Sequence, residues 1–161
     1  STVALKIGSR VDELIQEDLT KGSYKLSSKD SIDVKNCIEA WEQFKRDYSP
    51  KIEAVQVEVK SEKDKIVGHI DLIMDGRVVD IKCASGIKPN HWLQVSKYWG
   101  MYLDTEKVSK GVAILRLDKS LATYDYKTHE QANINPGECE SVFDCMLETY
   151  RYYNVPKGQE E

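Results

Sequence analysis

The sequence predicts a mixed α/β domain: one sheet that combines hairpin and crossover connections, flanked by helices. Three observations carry this. Residues 53–60 alternate Val55, Val57 and Val59 against Gln56, Glu58 and Lys60, the period of a half-buried strand. Asp75-Gly76 stands as a two-residue turn between two β-branched runs, 66–74 and 77–83. Segments of helical periodicity both precede these strands and separate them from later ones, so the strands are neither all consecutive nor strictly alternating with helices.

Residues 2–18 read as an amphipathic helix with Leu5, Val11, Leu14 and Ile15 near one face, ended by Lys21-Gly22-Ser23. Ser31 or Asp33 caps a second helix through about Arg46, with Ile38, Trp41 and Phe44 inward; Tyr48-Ser49-Pro50 stops it. The strand 53–60, a charged turn from Ser61 to Lys65 and the two hairpin strands follow. Ser85-Gly86 breaks the chain, and Pro89-Asn90 introduce a helix from about His91 to Asp104. Strands near 110–117 and 121–127 lead to a helix over about 138–153 that carries Val142, Phe143, Met146, Leu147 and Tyr150. The order α-α-β-β-β-α-β-β-α indicates an α+β or mixed-sheet domain rather than a doubly wound parallel sheet.

At 161 residues the chain suits one domain with a real core. No apolar run approaches membrane-spanning length, and the N-terminal residues do not read as a signal peptide. A formal charge of −4 argues against a polycation that coats nucleic acid, but not against an enzyme whose site is itself rich in carboxylates. The four cysteines, at 37, 83, 139 and 145, contain no Cys-x-x-Cys pair, which argues against a zinc ribbon. They predict free thiols and a reducing, cytoplasmic setting. Cys83 is expected to face the core, away from Asp80 and Lys82.

The hairpin holds the chemistry. A two-residue loop pairs Met74 with Arg77 and Ile73 with Val78, which sets Asp71 opposite Asp80 and His69 opposite Lys82. Alternation then puts all four side chains on one face. Directly opposed residues have Cβ atoms only about 5 Å apart, and two carboxylates that close need a cation or a shared proton. Oxygen ligands on adjacent strands suit Mg²⁺ or Mn²⁺, and the Ile81 carbonyl is a further candidate ligand. Lys82 returns to the same face, where it can position an attacking water or offset charge developing on a phosphorus centre. The arrangement suits phosphodiester hydrolysis. On the next helix Gln94 and Tyr98 form a polar i, i+4 stripe beside the apolar Trp92, Val95, Trp99 and Tyr102.

Gly68-His-Ile-Asp71, Asp80-Ile-Lys82 and Gln94-Val-Ser-Lys-Tyr98, in that order, resemble the G-x-x-D, D-x-K and Q-x-x-x-Y motifs of the PD-(D/E)xK nuclease superfamily. More narrowly they resemble its RecB-like exonuclease branch, which includes small phage and archaeal-virus exonucleases and CRISPR-adaptation nucleases. The motifs cover residues 68–98 only.

The resemblance implies a restriction-endonuclease-like core and Mg²⁺- or Mn²⁺-dependent DNA exonuclease activity. Asp71 and Asp80 would bind metal and Lys82 would position the attacking water. Gln94 and Tyr98 would face the site, with Lys97 and His91 at its rim as phosphate contacts. Many relatives carry a metal-binding His on an early helix; here Gly8-Ser-Arg-Val-Asp12 occupies that place, so Asp12 stands where His would be. Glu58 matches a glutamate often found upstream of G-x-x-D and is a further candidate ligand. The implied partner is single- or double-stranded DNA, with no membrane and room for a homo-oligomer or a larger nuclease complex. The alternatives are a site-directed endonuclease and a nuclease-fold module that binds DNA or protein without cutting.

Overall fold

Ser1 caps the first helix, α1 (Thr2–Lys21), by accepting the Ala4 amide at 3.3 Å, and Gly22 ends it at φ 77°. The computed structural model, which describes residues 1–154, continues with α2 (Ile32–Tyr48), β1 (Ile52–Ser61), β2 (Ile66–Met74) and β3 (Arg77–Cys83). After these come α3 (Pro89–Leu103), β4 (Val112–Leu117), β5 (Tyr124–Thr128) and α4 (Pro136–Asn154). The element order is the one expected. Ser31, not Asp33, caps α2. The start of β5 moves to Tyr124 because Asp118 accepts the amides of Ser120 and Leu121 in a tight turn, closed by Ala122 at φ 55°.

The five strands lie in chain order, β1 to β5. Neighbours are antiparallel except β3 and β4, which run parallel because α3 crosses between them. Helices α1 and α2 cover one face. Their core joins Val11, Leu14, Trp41 and Phe44 to Leu72, Met74, Val79, Ile81 and Leu115. Trp41 and Lys45 of α2 both donate to Asp18 of α1, at 2.8 and 2.6 Å. Helix α3 covers the other face, packing Trp92, Val95 and Met101 on Ile70, Val78 and Ile114, with Trp99 and Tyr102 partly buried against them. Helix α4 lies over α3.

Two side-chain expectations are corrected. Leu5 is 73% exposed, and Ile7 takes its place beside Val11, Leu14 and Ile15. Ile7 is four residues before Val11 and shares its face, whereas Leu5 is six before and lies around the helix. On α4, Val142, Met146 and Tyr150 are exposed, since this outer helix touches the domain along one side only. Among the described residues no helix is long and apolar enough to cross a membrane.

Candidate active site

The hairpin register is as expected for Met74–Arg77, Ile73–Val78 and Leu72–Val79, and there the ladder ends. Asp71 and Asp80 are not a ladder pair. The two strands part, and the Asp71 carboxylate fills the gap. Its Oδ2 accepts the Ile81 amide at 2.7 Å, and its Oδ1 accepts the Gln56 side-chain amide at 3.4 Å. His69 does not oppose Lys82 but pairs with Glu58 of β1.

The common face assumed for His69, Asp71, Asp80 and Lys82 is lost because alternation is interrupted at this point. Ile70 belongs to the α3 core while Leu72, two residues on, belongs to the α1–α2 core. In β1, Val55 packs on the α1–α2 side and Val57 and Val59 on the α3 side, so the three valines do not share a face either. The phase reverses at Gln56, which has φ 50° and lies in register with Asp71, between the pairs Val55–Leu72 and Val57–Ile70. A non-glycine residue in the left-handed region inside a strand stores strain that the surroundings must hold. Here it turns both strands together where the carboxylate is needed.

Strand β3 keeps its alternation. Asp80 and Lys82 share a side with their parallel partners Ile114 and Arg116, facing α3, while Val79, Ile81 and Cys83 face α1 and α2. Lys82 Nζ stands 3.1 Å from Asp80 Oδ2 and donates to Gln94 Oε1 at 3.0 Å. The Gln94 amide reaches the Tyr98 hydroxyl at 3.5 Å. Tyr98 lies across β2 at Gly68, where any Cβ would collide with the hydroxyl edge of its ring. Glycine at 68 therefore serves close packing of the ring, not backbone freedom. Gly68→Ala is expected to lower stability by about 1–3 kcal/mol, the usual cost of overpacking. Urea unfolding measures it, and a midpoint equal to the parent's would contradict this packing.

Asp80 is buried. Its Oδ2 meets the Lys82 ammonium at 3.1 Å, and no other cation reaches it among the described residues. Burial and then repulsion from Asp71 push Asp80 up to about 8, against the pull of Lys82. Asp12 of α1 reaches the same group. Burial and then Asp71 push it up to about 7, with Lys82 opposing. When all three carboxylates are ionised against one ammonium, the group carries a formal charge of −2, which one divalent cation would balance.

Among the described residues no three His, Cys, Asp or Glu side chains converge as a cage. Mg²⁺ asks for less: one or two carboxylates, carbonyl or substrate oxygens, and water. A buried carboxylate with a single ammonium against three acidic side chains fits that demand. Asp71, Asp80 and the Ile81 carbonyl are the residues that would hold the ion, with Asp12 beside them.

No family model and no curated protein sequence matches the chain. The chemistry therefore rests on these residues.

The geometry brings together Asp71, Asp80, Lys82, Gln94 and Tyr98, with Asp12 at their edge. It does not bring Glu58, which is exposed and sits 3.6 Å from His69 Nε2. Lys97 is no rim residue either: only 3% exposed, it hydrogen-bonds Asp64 and forms an ion pair with Asp144, each at 2.8 Å, and fastens α3 to the β1–β2 turn and to α4. His91 accepts the Lys88 amide at 3.0 Å at the start of α3. Burial, Lys82 and Lys88 lower its pKa, which favours the neutral ring. Gln56 is the residue that sequence reasoning missed. Its signal was present, since counting back through the Ser61–Lys65 turn sets Gln56 opposite Asp71. A surface hollow of about 520 Å³ along α4 is lined by Val142, Met146 and Tyr150 among others and contains none of these groups.

The carboxylates set a pH dependence. Asp12 and Asp80 hold protons in the fold up to about 7 and about 8, whereas the unfolded chain releases them near 3.8. Their stabilising effect is thus complete below that lower value and is lost as pH rises through the folded ones. Without divalent ions the melting temperature is expected to fall from about pH 6.5 to about pH 8, and Asp80→Asn should flatten the slope. The stabilisation by Mg²⁺ should grow over the same range, because ligands must lose their protons. Thermal unfolding at both pH values checks this; a rising metal-free midpoint would contradict it.

Proposed function

We propose that the chain is a metal-dependent deoxyribonuclease of the PD-(D/E)xK type, acting as an exonuclease of the RecB-like branch. The observation that carries this reading is the buried Asp80 carboxylate, ion-paired with Lys82 at 3.1 Å and set beside Asp71, with Gln94 and Tyr98 continuing the group. The three motifs that resemble that branch are physically linked: Gly68 admits Tyr98, Asp71 caps the Ile81 amide, and Lys82 joins Asp80 to Gln94.

Mg²⁺ or Mn²⁺, when bound, would supply Lewis acidity toward a phosphodiester oxygen and lower the pKa of water. The chain's own residues do the rest. The Ile81 amide and Gln56 fix both oxygens of Asp71, so that carboxylate needs no rearrangement to act as a ligand. Lys82, held between Asp80 and Gln94, presents an ammonium that orients the attacking water and offsets the charge gained by the phosphoryl oxygens. Gln94 and Tyr98 anchor that lysine and line the approach of the scissile strand. The setting we propose is the cell interior, where the four free thiols stay reduced.

The test compares end-labelled linear DNA, single- and double-stranded, with closed circular DNA, in Mg²⁺ or Mn²⁺. Release of mono- or short oligonucleotides from ends, with the circle intact, is expected. Nicking of the circle would make the enzyme an endonuclease. Binding of metal or DNA without cleavage of any substrate would make it a non-cutting module.

A further inference from the structure

We propose that the outward side of α4 is a dimer interface, on which α4 of a second copy of this chain lies antiparallel about a two-fold axis near Leu147. The interface is independent of the nuclease reading. Helix α4 is amphipathic in the reverse of the usual sense. Its charged side chains turn toward the domain: Glu140 lies over Gly100 of α3, Asp144 pairs with Lys97 at 2.8 Å, and Arg151 donates to the Asp64 carbonyl. Its outward side carries Val142, Met146, Thr149 and Tyr153 in one row, with Tyr150 and Tyr152 on the flanks. Apart from Thr149, these side chains are large and 48–77% exposed. Glu138 stands at the N-terminal end of the row and Glu148 to one side, and no charged residue lies within it. A surface helix normally turns its polar face to water, and a contiguous apolar stripe in its place marks an interaction site. Met146 and Tyr150 also wall the hollow of about 520 Å³, which offers room for a side chain of the partner.

The pattern of the row selects a second copy as the occupant. Residues 142, 146, 149 and 153 are spaced four, three and four apart, the spacing of a seam that packs on another helix. That spacing reads the same in both directions, so the row is complementary to itself when reversed. A two-fold axis at its midpoint, between Leu147 and Glu148, sets Val142 against the partner's Tyr153 and Met146 against the partner's Thr149. Each pair joins a larger side chain to a smaller one, as interdigitation requires. A tyrosine buries about 150–250 Å² when fully covered, so the exposed parts of the three tyrosines, Val142 and Met146 supply about 500 Å² per copy. The pair buries about 1,000 Å², the lower bound for a specific interface, which fits a dimer of micromolar affinity. The flanks disfavour a membrane surface, which selects basic residues beside the apolar face, whereas Glu138 and Glu148 are acidic.

Sedimentation velocity of the full chain, from about 1 µM to about 500 µM, tests this, with a dimer expected to form within that range. Met146→Glu places a charge in the seam of each copy and should weaken association at least about 30-fold. Because Met146 is exposed, that variant should melt like the parent at about 1 µM, where the parent is monomeric. Cys145 is exposed beside the seam, and the axis sets it about 8 Å along the helix from its copy. A short bis-maleimide should therefore link the two Cys145 residues of a dimer, and Cys145→Ser should abolish the link. Sedimentation with vesicles of phosphatidylcholine and phosphatidylglycerol is the control for a lipid partner, and no binding is expected. A parent that stays monomeric throughout would overturn the proposal, whether or not it binds the vesicles. So would a dimer that Met146→Glu leaves intact, or a cross-link that maps to other cysteines. None of these measurements reads DNA cleavage, so they stand or fall apart from the nuclease reading.

Discussion

Asp80→Ala is expected to remove metal-dependent DNA cleavage, by on the order of 10³-fold or more, while the fold persists. The magnitude follows from the several kcal/mol of charge stabilisation that a divalent ion supplies, at about 1.4 kcal/mol per tenfold in rate. The fold should persist because Asp80 contributes little to it. It is buried and repelled by Asp71, and its ion-pair partner Lys82 is part-exposed and keeps its bond to Gln94 when Asp80 is removed. Removing the group takes away a desolvated charge as well as a few packed atoms. The variant should therefore unfold in metal-free buffer at about pH 8 no earlier than the parent. It should also lose the stabilisation that Mg²⁺ gives. Steady-state cleavage with circular dichroism checks both, and turnover like the parent's would sink the metal assignment.

Lys82→Ala is expected to lower kcat by about 10²- to 10³-fold, the usual loss when one preorganised charge at the reacting centre is removed. Metal affinity should stay the same or tighten. The substitution removes a positive charge beside Asp80, and that charge competes with the ion. The separation between turnover and binding is what distinguishes a residue acting on water and phosphate from one that merely neutralises carboxylates. Titration with Mg²⁺ by calorimetry, beside single-turnover cleavage, measures both; equal metal-dependent rates for variant and parent would contradict the role assigned to Lys82.

Much of the fold was legible because its signals are local. Asp75-Gly76 specified the hairpin and its first three pairs, Ser31 and Gly22 marked helix ends, and the β3-to-β4 crossover follows from a helix between two short apolar runs. That the candidate residues Asp80, Lys82, Gln94 and Tyr98 lie close together was legible because they stand on regular elements, where spacing dictates direction.

What escaped was non-local. Alternation assumes one phase along a strand, and nothing in Gln56 announces a left-handed residue; the phase reversal is imposed by a sheet that parts around Asp71. Lys97 reads as a solvated helix lysine because its two carboxylate partners come from a turn and a helix far off in sequence. Glu58 and His69 share a strand pair with the site, yet stay at the surface with each other.

The central claim is that Asp71, Asp80 and the Ile81 carbonyl hold a divalent ion beside Lys82. Anomalous scattering from crystals soaked in Mn²⁺ at about pH 8 tests it most directly. The account predicts a manganese peak bonded to oxygens of Asp71 and Asp80 and to the Ile81 carbonyl, at about 2.0–2.3 Å, and no such peak in Asp80→Ala. A protein that cuts DNA in solution, yet gives manganese peaks only away from these residues, would contradict it.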